Sequence, residues 1–308
     1  MTRHVVEIAS DRRILRLERG FLVIEEEETE NAAKVPLDDI QALLVSAPAA
    51  TLSTRVIAAL SERGAPIVIS ATNYMPVSIV LPLNGHGDTA GVQSDQIAAS
   101  AAHRKRLWQK IVRAKIRGQA WSLRVSSGVR SEREGAARHL DAMVSRVGSG
   151  DPTNLEAQAA RAYWTVLMGA GFRRDPSAGG RNAALNYGYA VLRACVARAV
   201  VASGLNPAIG IFHANRHNPL CLVDDLMEPF RPLVDRLVAG MPEDVVLTAD
   251  EKRILSRVLD LDLRADHGLS PVRQCALSLA QSVAAGFRNG QPEPNLAAYP
   301  DPSEPELL

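Results

Sequence analysis

The chain has 308 residues, 46% of them hydrophobic and 22% charged, with a formal net charge of +1. This balance suits a soluble globular protein and excludes a global electrostatic pull toward nucleic acid or an anionic membrane, so any polyanion site needs local segregation of charge. Cys195, Cys221 and Cys275 are far apart with no CxxC pair, which argues against a disulfide framework. With no apolar leader and no run of about 18 apolar residues, the expected compartment is cytoplasmic, with no membrane contact.

In chain order, "HVVEIAS", "RILRLERG", "FLVIEEE" and "APIVISA" read as short strands, β-branched or alternating and bounded by turn residues. A hairpin is expected near Gly20, and the run Glu25 to Glu28 suits a solvated hairpin end, since four like charges cannot share a core. One helix interrupts, "TLSTRVIAALSERG", with Gly64 as its stop. A last strand, "MPVSIVLPL", leads to the glycine-rich "NGHGDTAG". From about Ser94 strand signals vanish, and Ala-, Leu- and Arg-rich helical segments take over. The expected fold is α+β and multidomain. It comprises a β-rich N-terminal domain over 1–83, a linker over 84–96, a larger all-α catalytic domain over 97–290, and a Pro-rich disordered tail over 291–308.

Three stretches carry chemistry. The segment Ala101 to Arg130 holds nine Lys or Arg and no acid. Arg106, Lys110, Arg113 and Arg117 share one helical face, beside a stripe of Leu107, Ile111 and Gly118. Such a face is either a wet surface or a track for a phosphate backbone. In "GDPTNLEAQAARAYWTVL", Asp151, Thr153 or Asn154 caps a helix that has Glu156 in its first turn. Taken alone, that glutamate reads as a surface partner of the helix dipole. In "IFHANRHNPLCLVDDLMEPFRP", His213 and His217 precede Asp224, Asp225 and Glu228. Asp225 and Glu228 stand three apart and face the same way on a helical turn. Capping residues beside a loop histidine would explain the stretch. Zinc on His213, His217 and Cys221 is a weaker reading, because Pro219 interrupts their alignment. Two carboxylates with one histidine suit Mg²⁺ or Mn²⁺ better.

Together, "NLEAQAARAYW", "RNAALNYGYAVLRACVARAV" and "GLNPAIGIFHANRHNPLCLVDDLMEPFRPLVD" resemble, in order and spacing, the signature blocks of the CRISPR-associated spacer-integration nuclease, the larger universal adaptation protein. "MPVSIVLPLNGH" and "NPLCLVDDLMEPFRP" look like its type II version. The resemblance implies a homodimer with a catalytic metal triad at Glu156, His213 and Glu228, Asp225 supporting it, and Asn182, Asn186 and Tyr187 close by. It implies Mg²⁺ or Mn²⁺ as cofactor. It also implies double-stranded DNA, both spacer precursor and leader–repeat, as substrate, with a small universal adaptation protein and other type II CRISPR proteins as partners. The expected reaction is 3′-hydroxyl attack on phosphodiesters at the repeat ends, inserting a short fragment as a new spacer. Arg106, Lys110, Arg113 and Arg117 are the expected DNA-binding face, on charge placement alone. Two alternatives stand beside this reading. One is a general metal-dependent nuclease on branched or single-stranded DNA. The other is a non-catalytic DNA-binding scaffold, whose function would survive loss of the triad.

Overall fold

The strands β2 (Arg13–Glu18) and β3 (Phe21–Glu26) pair antiparallel with Glu18 opposite Phe21, so Arg19 and Gly20 form a two-residue turn. Both have positive φ, 47° and 86°, the combination whose twist matches a hairpin. The structure, a computed structural model, describes residues 4–26, 32–71, 76–82, 87–126, 130–266 and 268–303. Of the acidic run, Glu25 pairs with Arg16 and Glu26 with Arg13, while Glu27 and Glu28 lie outside the described residues.

The hairpin belongs to a sheet of order β4-β3-β2-β6, with β4 at Ala32–Pro36 and β6 at Thr51–Leu52. A second sheet has the order β1-β5-β7-β8, from His4–Ile8, Ile40–Val45, Ile67–Ser70 and Pro76–Val80. Its first three strands run parallel, and β8 is antiparallel. Helix α1 (Thr54–Glu62), capped by the Ser53 side chain, packs Val56 and Leu60 against Leu15, Leu22 and Leu43 between the sheets. All six residues of β5 are buried. Leu43 and Val45 face that core, while Ala42 and Leu44 face the helices.

The helical half contains α2 (Thr89–Ala98), α3 (Ala101–Val125), α4 (Arg130–Arg146), α5 (Leu155–Met168), α6 (Arg181–Ala202), α7 (Cys221–Met227), α8 (Arg231–Ala239), α9 (Ala249–Ser256) and α10 (Val272–Asn289). Helix α6 is central, with Leu185, Tyr187, Val191, Leu192 and Val196 all buried. The halves are also tied by polar contacts: Tyr187 donates to Glu7 at 3.0 Å, and Lys252 pairs with Glu7 at 2.9 Å.

Three expectations are corrected here. Much of the stretch 84–96 is helix α2, not linker: Asp88 caps it through Gly91 N, and Val92 and Gln96 are buried. Strands do return in the helical half, as the hairpin β9 (Asp262–Ala265) and β10 (Gly268–Pro271). The proline-rich tail is not disordered through its first ten residues. Ala298 exchanges backbone hydrogen bonds with Arg264, and the Tyr299 ring lies 4.7 Å from that of Trp121. Proline composition argues against helix and ladder, but side-chain and backbone hydrogen bonds at Asn295 and Ala298 and the anchored Tyr299 ring hold the segment in place.

Candidate active site

Two loop residues fix the start of α5. Asn154, with φ 52°, caps the Ala157 N–H, and Asp151, with φ 47°, accepts from Leu155 N and Glu156 N at 2.9 Å each. So held, Glu156 turns inward, its side chain only 21% exposed, and meets Lys115 Nζ at 2.6 Å. The surface reading of Glu156 is therefore wrong.

His213 stands on the loop before α7. Asp225, fully buried, gathers that loop: Oδ2 accepts from Ile211 N at 2.6 Å and Phe212 N at 3.0 Å, and Oδ1 meets His213 Nδ1 at 2.5 Å. Gly210 must be glycine here, because a Cβ would stand 2.2 Å from the His213 carbonyl oxygen. Trp108 and Phe212 stack at 4.5 Å and present themselves at right angles to the imidazole. The bond to Asp225 raises the His213 pKa, against the opposing effect of burial. With Nδ1 committed to Asp225, Nε2 is the nitrogen left for a ligand.

Glu228 ends α7. Pro229 has no N–H to continue the helix, so the chain tightens into a 3-10 turn over Glu228–Phe230. The carboxylate is buried, with Arg231 Nε at 2.9 Å from one oxygen and Lys115 Nζ at 2.6 Å from the other. Burial alone would raise its pKa, but Arg231 and Lys115 outweigh burial and hold it below the ordinary range. Conversely, burial opposes charge on Lys115, yet Glu228 and Glu156 keep its pKa above normal.

The two carboxylates thus share one buried ammonium, and His213 is near enough to feel both. Among the described residues, no three His, Cys, Asp or Glu side chains already form a ready-made metal cluster. The donors nevertheless fit a hard divalent cation. Glu228 Oε2 is buried and, despite its close ion pair, makes no aligned hydrogen bond, and two carboxylates with an imidazole suit Mg²⁺ or Mn²⁺. The site opens into a cavity of about 260 Å³ lined by His213, Glu228, Asp224, Arg174, Arg193 and Arg231 among others.

The remaining expected residues divide. Asn182 and Asn186 reach the site indirectly: their side-chain oxygens accept from Arg174 at 3.1 and 2.5 Å and hold its guanidinium beside the Tyr189 ring. Tyr187 turns away, to Glu7 and Ser256, where it joins the two halves instead of supporting the triad. The zinc set is not assembled. The Cys221 thiol donates to the carbonyls of Asn215 and Asn218, and His217 lines a different cavity. Of the basic face, Arg106 and Arg117 are exposed, whereas Lys110 pairs with Glu293 and Arg113 donates to the Val147 carbonyl at 2.8 Å.

Lys115, Arg174, Tyr189, Arg231 and Asp235 were not singled out from the sequence. Lys115 had a signal, because it follows Trp108, Ile111 and Val112 at helical spacing and so falls on the apolar stripe, where an unpaired lysine would be costly. Asp235 accepts from the Tyr163 and Tyr189 hydroxyls, and burial pushes its pKa up to about 7.

A family model, "CRISPR associated protein Cas1", matches residues 6–254. The chain belongs to the Cas1 family. It is similar to a CRISPR-associated endonuclease Cas1 of Neisseria meningitidis serogroup C (strain 8013), 33% identical over 91% of this chain and 90% of the relative. Its fold is like that of a casposase bound to integration product, with a TM-score of 0.75 at 17% identity, covering 96% of this chain and 93% of the other. It is also like that of a chain in a Cas6-RT-Cas1–Cas2 complex, with a TM-score of 0.73 at 18% identity, covering 95% of this chain and 36% of the other. The family is one of CRISPR-associated endonucleases, and membership agrees with the β-rich start and helical remainder. No helix among the described residues is long and apolar enough to cross a membrane.

Proposed function

We propose that this Cas1-family chain is a divalent-metal-dependent DNA integrase of CRISPR adaptation. In this reading it joins the 3′-hydroxyl ends of a short duplex to phosphodiesters at the two ends of a CRISPR repeat. The observation that carries the reading is the convergence of Glu156 and Glu228 on one buried cation, beside a histidine whose other nitrogen is committed to Asp225. Glu156, His213 and Glu228 would hold Mg²⁺ or Mn²⁺. When bound, that ion supplies charge stabilisation to the phosphate and the leaving oxygen.

The chain's own groups do the rest. Asp225 orients the imidazole and holds its Nδ1 proton, which leaves Nε2 as donor. Trp108 and Phe212, stacked on each other, wall one side of the imidazole and limit how its ring can turn. Arg174, anchored by two amide oxygens, lines the cavity as a cation suited to a phosphate oxygen. The double-stranded DNA, a second copy of this chain and a small adaptation protein are the partners this reading requires. The casposase bound to integration product and the Cas1–Cas2 complex, both of this fold, support it.

The test is strand transfer of a labelled duplex into a supercoiled plasmid carrying the cognate leader and repeat. It is run with the small partner, with Mn²⁺, Mg²⁺ or EDTA, and with Glu156→Gln, His213→Ala and Glu228→Gln. Joined product that requires metal and disappears in all three variants is expected. Cleavage without joining would point to a general nuclease, and joining by the variants would refute the site.

A further inference from the structure

We infer that Tyr299 positions Glu228, making the C-terminal segment part of the active site; this rests on the reading of Glu228 given above. The segment after α10 runs back across the helical half. Asn295 N donates to Ser282 at 2.8 Å, and its side-chain amide donates to Ser278 at 2.9 Å, both on α10. Glu293 pairs with Lys110 on α3. Arg264 and Ala298 then exchange backbone hydrogen bonds of 2.8 Å each, which fixes the residue that follows.

That residue is Tyr299. Its ring lies 4.7 Å from the Trp121 ring and fills the space above Gly118, where a Cβ would come within 2.4 Å of the tyrosine oxygen. Its hydroxyl donates to the Pro229 carbonyl at 2.6 Å. The side chain is therefore wedged between α3 and the 3-10 turn that begins with Glu228. Gly118 stands one helical turn beyond Lys115, and Lys115 meets Glu228 at 2.6 Å. Tyr299 thus sets the separation of the two elements whose side chains form the centre. The turn needs outside support, because Pro229 and Pro232 supply no N–H to the backbone. Besides the ion pairs to Arg231 and Lys115, the Tyr299 hydroxyl on the Pro229 carbonyl is the further constraint on where this turn holds Glu228.

Tyr299→Phe keeps the ring and removes the hydroxyl. It is expected to lower kcat for strand transfer about five- to tenfold, the worth of one hydrogen bond, and to leave KM for DNA unchanged. The calorimetric dissociation constant for Mn²⁺ should rise by a similar factor. Gly118→Ala, which pushes the ring aside from the opposite face, should act in the same direction, and adding Tyr299→Phe to it should cost nothing further. Wild-type kcat and Mn²⁺ affinity in Tyr299→Phe would overturn the proposal, as would a loss confined to KM for DNA. Glu228→Gln, measured in parallel, separates the two failures: if it retains strand transfer, the reading of Glu228 falls, whatever Tyr299 does.

Discussion

Lys115 is 13% exposed and is the cation between Glu156 and Glu228. Removing one partner of a buried ionic group leaves the others uncompensated, at a cost of about 3–5 kcal/mol. Lys115→Met should therefore lower stability in EDTA by roughly that amount. Arg231 stays beside Glu228 and keeps the loss toward the lower end. A divalent ion binding the same carboxylates would replace the missing charge. Mn²⁺ should thus raise the thermal midpoint of Lys115→Met more than that of the wild type, because ligand binding to the folded state adds stability. Equal midpoint shifts on adding Mn²⁺ would show that lysine and metal do not use the same carboxylates.

At the scale of elements, α3 sends its side chains two ways. Trp108 and Lys115 turn toward the site, while Arg106 and Arg117 remain exposed on the face expected to meet DNA. Lys110 and Arg113 have partners within the chain already. Each phosphate neutralised contributes a slope of about 0.9 to the dependence of log affinity on log salt. Arg106→Gln and Arg117→Gln should each flatten that slope by about 1 if each touches a phosphate, and Lys110→Gln and Arg113→Gln by less. A salt titration of duplex binding checks this, and an unchanged slope in Arg106→Gln with Arg117→Gln would remove this face from the DNA track. Helix α3 also shows how far a sequence can be read. The basic face and the apolar stripe were legible from spacing, as were the hairpin at Gly20 and the helix stopping at Gly64. Strand β5 gave no alternation to read, because it is buried on both sides and is apolar nearly throughout. Glu156, His213 and Glu228 were singled out by three matching blocks; alone, each also fitted an ordinary cap or loop. Lys115 and Tyr299 escaped notice because their roles depend on partners 41 and 70 residues away in the chain.

For the whole molecule, the buried carboxyl of Asp235 makes stability depend on pH. Burial, the largest influence, raises its pKa from 3.8 to about 7 against the two tyrosine hydroxyls and Arg231. Between these values the folded chain holds a proton that the unfolded chain has released, so stability falls as pH rises through the window. At 1.36 kcal/mol per pH unit the full shift is on the order of 4 kcal/mol, lost completely only above about pH 7. Asp235→Asn carries no such proton and still offers an oxygen to Tyr163 or Tyr189. Its unfolding free energy in urea should therefore vary less from pH 4 to 8 than that of the wild type. The two curves should cross, with the variant the more stable at pH 8. If the difference between them does not change with pH, Asp235 is charged in the folded chain across the range. In that case Arg231 answers to two buried carboxylates, Asp235 and Glu228, and Glu228 depends correspondingly more on Lys115.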